Sequence, residues 1–287
     1  METRLSNGNT QVVIGGNRPT VMIGERINPS GKKKLAAALR EGNMDAVRHE
    51  ALAQVAAGAE ILDVNVVTEG VNEIDLLPRV VEALLATVNI PLCIDINNPK
   101  ALKKALEVYP GKALVNSVSA EERSLEEVLP MVKQYNAAVI GLTLDDAGIP
   151  KSAEKRLELA YKIVERAQSV GIPKEDILID CLALALGSDD KAAAVTLQAI
   201  RAVKEQLGLN QTLGASNVSF GLPNRMVVNN AFLPLAIFAG VTCPTVDPTK
   251  VASTIAATDL ILGRDRFSMR YINDYRRQEK RARDENA

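Results

Sequence analysis

Asp95, Asn116, Asp180 and Asn217 each interrupt a run of apolar and β-branched residues, in CIDI, LVNSV, LIDCL and SNVS. An unpaired carboxylate or amide buried among such neighbours costs about 1 to 3 kcal/mol or more. Four such costs in one chain imply a polar ligand that satisfies them. Other polar residues stand at the ends of similar runs: Glu25, Arg26 and Asn28, Asp63 and Asn65, Asn97, Thr143 and Asp145, Ser219, and Asp247. Taken singly, each is equally well explained by the preference of Asn and Asp for turns and helix caps. The set, rather than any member, points to a site. A carboxylate accepts two parallel N–H groups and a carboxamide both donates and accepts, so the set suits a neutral heterocycle rich in N–H donors and ring acceptors.

Several other chemistries are excluded by composition. The chain has one histidine, His49, placed mid-helix in DAVRHEAL, where a structural or surface role is expected. A His metal site, a Ser-His-Asp triad and a histidine base all fall away, and no metal is expected to be bound. Cys93, Cys181 and Cys243 are far apart and lie in strand-like contexts, so they read as reduced core residues. The acidic cluster at Glu121, Glu122, Glu126 and Glu127 reads as helix capping, with Ser124 and Glu127 in capping-box spacing, and Asp189 and Asp190 read as a helix start. No lysine interrupts a strand-like run, which sets an aldolase reading low. A net charge of -1 and 3% aromatic residues argue against nucleic acid as a partner. The absence of a long apolar run and the polar start METRLSNGNT lead to the expectation of a cytoplasmic protein without membrane contact.

Eight strand-like runs position these residues: VMIGERIN, EILDVNVV, PLCIDIN, ALVNSVS, AVIGLTL, DILIDCL, TLGASNVS and VTCPTVD. Helical patterns with apolar residues at i, i+3, i+4 and i+7 lie between them, as in MDAVRHEALAQVAAG and AEKRLELAYKIVERAQSVG. Eight βα alternations predict an α/β fold, a single-domain (β/α)8 TIM barrel, and 287 residues with 47% apolar content suffice for its core. An open doubly wound sheet ranks second, because no G-x-G-x-x-G turn follows the first strand. Residues 1–20 are read as a hairpin or plug segment turning near Gly15, Gly16 and Asn17, residues 21–267 as the barrel, and residues 268–287 as a charged tail with a frayed end. Barrel active sites lie at the carboxyl ends of the strands, so the polar residues above should converge there.

A pterin presents the edge that such a site would grip, and the motifs agree. IGERIN at Ile23, LDVN at Leu62, IDINN at Ile94, VNSVSAE at Val115, GLTLDDAGIPKSAEKRL at Gly141, LIDCL at Leu178 and SNVSFGLPNR at Ser216 together resemble the pterin-binding methyltransferases. These include methyltetrahydrofolate:corrinoid protein methyltransferases and, more distantly, the folate domain of cobalamin-dependent methionine synthase and dihydropteroate synthase. The resemblance spans about Val21 to Phe267. It implies a homodimeric barrel that takes tetrahydrofolate or 5-methyltetrahydrofolate as substrate. Asp180 would hold N3 and the 2-amino group, Asp95 and Asn116 further ring atoms, and Asn217 would reach N5, with Asp63, Glu25, Asn28 and Ser219 completing the pterin site. Asn217 and Asp95 would carry the chemistry. His49 lacks the D-x-H-x-x-G context of a corrinoid-ligating histidine, so the corrinoid would arrive on a partner protein. The Lys and Arg-x-His elements of dihydropteroate synthase are not evident, which leaves that activity, and a non-catalytic folate-binding barrel, as alternatives.

Overall fold

The computed structural model describes residues 1–284; positions 285–287, the end of the charged tail, lie outside the described residues. The elements run β1 (Glu2–Ser6), β2 (Gln11–Gly15), β3 (Ile23–Ile27), α1 (Lys33–Arg40), α2 (Met44–Ala56), β4 (Ile61–Val64), α3 (Glu73–Leu85), β5 (Leu92–Asp95), α4 (Pro99–Val108) and β6 (Leu114–Ser119). They continue as α5 (Glu122–Gln134), β7 (Ala138–Leu142), α6 (Ala153–Ser169), β8 (Ile177–Asp180), α7 (Ala192–Leu207), β9 (Asn210–Thr212), α8 (Arg225–Ala239), β10 (Thr245–Val246), α9 (Pro248–Ile261) and α10 (Met269–Asp284). Strands β3 to β10 form one parallel sheet in the order β10-β3-β4-β5-β6-β7-β8-β9. A bridge from Gly214 to Thr245, with Thr245 N donating to Leu213 O at 2.9 Å, brings the sheet round on itself. The expected (β/α)8 barrel is therefore the observed fold.

Strand alternation builds two cores. Inward residues Ile23, Ile61, Cys93, Leu114, Ala138, Ile140, Leu178 and Cys243 pack together inside the barrel. Outward residues such as Leu62, Ile94, Val115, Val139 and Ile179 pack beneath the helices. Gly141 lets α6 approach, because a Cβ there would sit 2.7 Å from Ile163 Cγ2. Asn43, Asn72, Asn98, Ser152 and Asp247 accept backbone N–H bonds at the starts of α2, α3, α4, α6 and α9, which accounts for Asp247 among the strand-end polar residues.

The antiparallel pair β1–β2 closes the amino end of the barrel, with Leu5 and Ile14 wholly buried in the same cluster as the inward strand residues. Asn210 Nδ2 fastens it by donating to Thr3 Oγ1 at 3.0 Å and Ile14 O at 3.1 Å. With the floor filled, an inward site can open only at the carboxyl ends.

Five local expectations are revised. The hairpin turns at Asn7–Thr10, where Asn7 Oδ1 accepts from Asn9 N and Thr10 N, and Gly8 has φ of 90°; the Gly15–Arg18 turn instead leads out of β2. An additional short helix, α1, precedes α2. Of the seventh run, TLGASNVS, only Thr212 lies in a strand, β9 starting earlier at Asn210, and Ala215–Ser219 is a 3-10 turn. Its Asn and Ser residues favour local bonds over ladder bonds: Asn217 N donates to Gly214 O, Phe220 N to Asn217 O, and Ser219 Oγ to Ser216 O. Ser124 forms no capping box, since it lies inside α5 and accepts from Ser119 N, while Glu127 pairs with Arg123. The tail, expected to fray, continues as α10 to Asp284 and packs on α9, with Asp274 buried and Arg270 paired to Asp259 and Glu60.

Candidate active site

Two residues beyond the apolar inward layer, the side chains become polar. Ile23 is followed at that spacing by Glu25, Ile61 by Asp63, Cys93 by Asp95, Leu114 by Asn116 and Leu178 by Asp180. Period-2 alternation therefore places these five on the inner face at the open end. Register supports it: Asp95 lies opposite Asn116, and Asp180 lies between Leu142 and Thr212 on the flanking strands.

Hydrogen bonds tie the ring together across strands. Asn116 Nδ2 donates to Asp63 Oδ1 at 3.1 Å, spanning from β6 to β4 over the intervening β5, which is possible only on one face of the sheet. Asn65 Nδ2 donates to Asp95 Oδ2 at 3.0 Å. Leu182 N donates to Asp180 Oδ1 at 2.6 Å, and the backbone carbonyl of Asp180 accepts from the Thr143 N–H and hydroxyl. Thr212 and Thr245 share a hydroxyl contact at 3.2 Å on the β9–β10 side.

Burial controls the charges. It raises the Asp63 carboxyl, and the neighbouring Asp95 carboxylate raises it further, to about 8. Burial also raises Asp95, opposed by the Asn65 amide. Asp180 is pushed up by burial to about 6, held back by the N–H groups of Leu182 and Gly214 and by Arg156. Glu25 is raised by burial as well, against the hydroxyl bond from Ser216. The ring thus holds a proton more strongly at Asp63, beside Asp95, than at Asp180.

Asn217 lies on the 3-10 turn that follows the carboxyl end of β9, rather than within a strand. Its side chain is exposed, and among the described residues its carboxamide has no hydrogen-bond partner. The turn itself is held on three sides. Ser216 Oγ donates to Glu25 Oε1 at 3.1 Å, Leu186 N to Val218 O at 2.9 Å, and Arg225 Nη2 to Ser216 O at 2.7 Å. Ser219 does not join the ring: it is buried, and its Oγ donates to Ser216 O and accepts from Arg225 Nε at 3.0 Å. Asn28 stands in the loop after β3, half-buried, with its Oδ1 accepting from Ser30 N at 3.0 Å. Arg26 and Asp247 form an ion pair at 3.3 Å on the β10 side. Sequence reasoning missed Arg156 and Thr196 behind Asp180, and undervalued Arg225, which the SNVSFGLPNR motif contains.

Two hollows flank the ring. One of about 480 Å³ is lined by Ile96, Asn97, Ser117, Ser119, Glu121 and Leu142 among others. A smaller one of about 210 Å³ is lined by Glu25, Ser216, Arg225, Asn229, Asp247 and Lys250. His49 is exposed on α2, and the three cysteines are buried and free. Among the described residues no helix is long and apolar enough to cross a membrane.

The chain is similar to known proteins along most of its length. Residues 24–247 match the family model described as pterin binding enzyme. A methylcorrinoid:tetrahydrofolate methyltransferase of Eubacterium limosum is 33% identical over 264 residues, covering 89% of this chain and 96% of that enzyme. The methionine synthase of Mycobacterium leprae (strain TN) is 31% identical over 263 residues; they are 87% of this chain and only 22% of that enzyme. Among solved structures, dihydropteroate synthase from Xanthomonas albilineans in complex with 7,8-dihydropteroate superposes with a TM-score of 0.65 at 20% identity, covering 90% of this chain and 98% of that one. Yersinia pestis dihydropteroate synthase superposes at 0.67 and 18% identity, over 91% and 99%. Those two likenesses concern the fold. The family match covers most of the chain, and the chain belongs to the pterin binding enzyme family.

Proposed function

We propose that the chain is a methyltransferase that moves a methyl group between N5 of tetrahydrofolate and the cobalt of a corrinoid carried by a separate protein. The observation that carries the proposal is the inward ring of Asp63, Asp95, Asn116 and Asp180 at the open end, with the unpartnered amide of Asn217 on the turn after β9. The relative from Eubacterium limosum, similar over nearly its whole length, supports the same reading.

In this reading Asp180, ionised at neutral pH, accepts N3–H and the 2-amino group of the pterin as a two-point contact. Asp95 and Asn116 meet other ring atoms, and Glu25 acts through Ser216 on the turn that carries Asn217. Ser219 supports that turn rather than touching ligand, and Asn28 shapes the rim. When the methyl group leaves N5, the amine left behind needs a proton or a strong hydrogen bond. Asn217 donates that bond, aimed at charge that develops only as the methyl departs. Asp63, neutral at pH 7 beside Asp95, keeps a proton within the site. In the opposite direction N5 is the nucleophile and the same contacts hold it in place.

The corrinoid partner would dock over the mouth, where Phe220 and Val67 are exposed. Assembly as a homodimer is supported by the exposed apolar side chains of α8 and α9, Val227, Leu235, Phe238 and Ile261. Light scattering of the purified protein tests it.

The activity test is direct: incubate the protein with methylcobalamin and tetrahydrofolate, and in the reverse sense with Co(I) cobalamin and methyltetrahydrofolate, following the cobalamin spectrum. A protein-dependent spectral change is expected. Folate binding without any change in either direction would reduce the protein to a folate-binding barrel, and condensation of a pterin with p-aminobenzoate would make it a dihydropteroate synthase.

A further inference from the structure

Arg156 occupies the buried stripe of α6 with Ala153, Leu159, Ala160 and Ile163, and none of its surface is exposed. Its neighbour Lys155, by contrast, is exposed and bonded to Glu158. A guanidinium is seldom buried without an acidic partner. Every acceptor bonded to Arg156 is nevertheless uncharged: Nε donates to Pro150 O at 2.9 Å, and Nη1 to Cys181 O at 2.8 Å, Leu182 O at 2.9 Å and Thr196 Oγ1 at 3.0 Å. The Thr196 hydroxyl also donates to Leu182 O, at 3.1 Å.

Cys181 and Leu182 are the two residues that follow Asp180. Leu182 has φ of 60°, a left-handed conformation that costs a non-glycine residue about 1–2 kcal/mol. With the two carbonyls drawn towards α6, the Leu182 N–H is turned onto Asp180 Oδ1. A lysine could supply the charge, but a single ammonium lacks the planar fork that reaches carbonyls and a hydroxyl together.

We infer that Arg156 is a positioning residue for Asp180: it holds the turn after β8 in the conformation that orients the carboxylate, and it sets a positive charge behind that carboxylate so that it stays ionised. Among the groups that favour the charged carboxylate, the Leu182 and Gly214 N–H groups act first and Arg156 supplies the one full positive charge. The other titratable groups facing Asp180 are the thiols of Cys181, on the same strand end, and Cys243, on the β10 side, and burial keeps both neutral. Burial raises Asp180, while the Leu182 and Gly214 N–H groups and the Arg156 charge oppose it.

The test uses the full-length, ligand-free protein, with the Asp180 carboxyl carbon followed by NMR through a pH titration and assigned by Asp180→Asn. In Arg156→Met the midpoint should rise by about one unit or more, as expected when a nearby opposite charge is removed. In Arg156→Lys it should stay within about half a unit of wild type, since the charge is kept. In both variants hydrogen exchange at the Leu182 amide should accelerate about tenfold or more, because neither side chain restores the fork. An unmoved midpoint in Arg156→Met would overturn the charge role, and unchanged Leu182 protection would overturn the positioning role. If Arg156→Met does not fold, Arg156→Lys decides alone: full Leu182 protection there refutes the inference. A further readout rests on the methyltransferase reading: tetrahydrofolate affinity of Arg156→Met should fall more at pH 6 than at pH 8, with the rate at saturating folate retained. The titration and exchange arms need no ligand, so they stand or fall independently of that reading.

Discussion

Replacing Asn217 by alanine separates transition-state stabilisation from binding and from folding. The side chain is exposed and has no partner among the described residues, while the turn's backbone bonds, Asn217 N to Gly214 O at 3.2 Å and Phe220 N to Asn217 O at 3.1 Å, survive the substitution. The folding cost should therefore lie within about 0.5 kcal/mol, as for surface substitutions that break no contact. Loss of one preorganised donor at a site of developing charge costs about 2.7–4 kcal/mol of activation free energy, or about a hundredfold to a thousandfold in rate. The two effects differ several-fold, so one variant resolves them. The assay is single-turnover methyl exchange with methylcobalamin at saturating tetrahydrofolate, with folate affinity from calorimetry and Tm from a thermal scan. The expected pattern is a rate loss of that size, a much smaller affinity loss, and a Tm lowered by no more than about two degrees. A full rate at saturating folate would remove Asn217 from the mechanism, because a purely uniform binding contact leaves the saturated rate intact.

Asp180→Asn should weaken tetrahydrofolate binding by roughly 2–4 kcal/mol by removing a charge-assisted two-point contact, and unchanged affinity by calorimetry would reduce Asp180 to a strand-end cap. Asp63 supplies a pH test: its folded carboxyl is raised from 3.8 to about 8, so between those values the folded state binds more protons than the unfolded chain, and the stability linked to this group is complete below about 4 and is lost as pH rises through 8. Urea midpoints measured at pH 5 and pH 8.5 should fall with pH more in wild type than in Asp63→Asn; equal slopes would mean that Asp63 is not raised. Leu5→Ala, at the wholly buried floor, should cost about 2–5 kcal/mol in chemical denaturation while leaving folate affinity unchanged, since the floor lies at the opposite end from the ring.

The ring was legible because two simple rules act on it. Strand alternation fixes which residues face inward, and the step from Ile61 to Asp63, or from Cys93 to Asp95, marks where the barrel interior ceases to be apolar. The local backbone at Asn217 is less legible: an apolar count reads SNVS as strand, but its Ser and Asn side chains draw the chain out of the ladder into a 3-10 turn, a competition that such a count does not capture. Ser219 would share a face with Asn217 in a strand, whereas in the turn its hydroxyl is bonded to Arg225 and Ser216. Arg156 was missed because it lies within a helical pattern, AEKRLELAYKIVERAQSVG, from which no single charged residue stands out. The signal was positional: Arg156 is three residues from Ala153 and from Leu159, on the helix stripe that must face the sheet. The hairpin turn was displaced because Gly15-Gly16-Asn17 and Ser6-Asn7-Gly8-Asn9 are both good turns, and only pairing of Leu5 and Val12 with the barrel interior above them selects the second.

The carboxylates of the ring also explain why the site is built from Asp and Asn rather than from Asp alone. Asp63 and Asp95 are close enough for one to raise the other, and a further carboxylate at the Asn116 position would add to that repulsion in a poorly solvated cavity. An amide there donates to Asp63, a carboxylate could not at neutral pH, and so Asn116 lowers the cost that Asp63 would otherwise bear. Asp180 escapes the pair by standing on β8, away from β4 and β5, where two backbone N–H groups and Arg156 favour its charged form. Environment thus drives the carboxyls apart, Asp63 to about 8 and Asp180 to about 6. Under the proposed methyltransferase reading two such groups would divide the work, Asp180 gripping N–H donors and Asp63 holding a proton within the site.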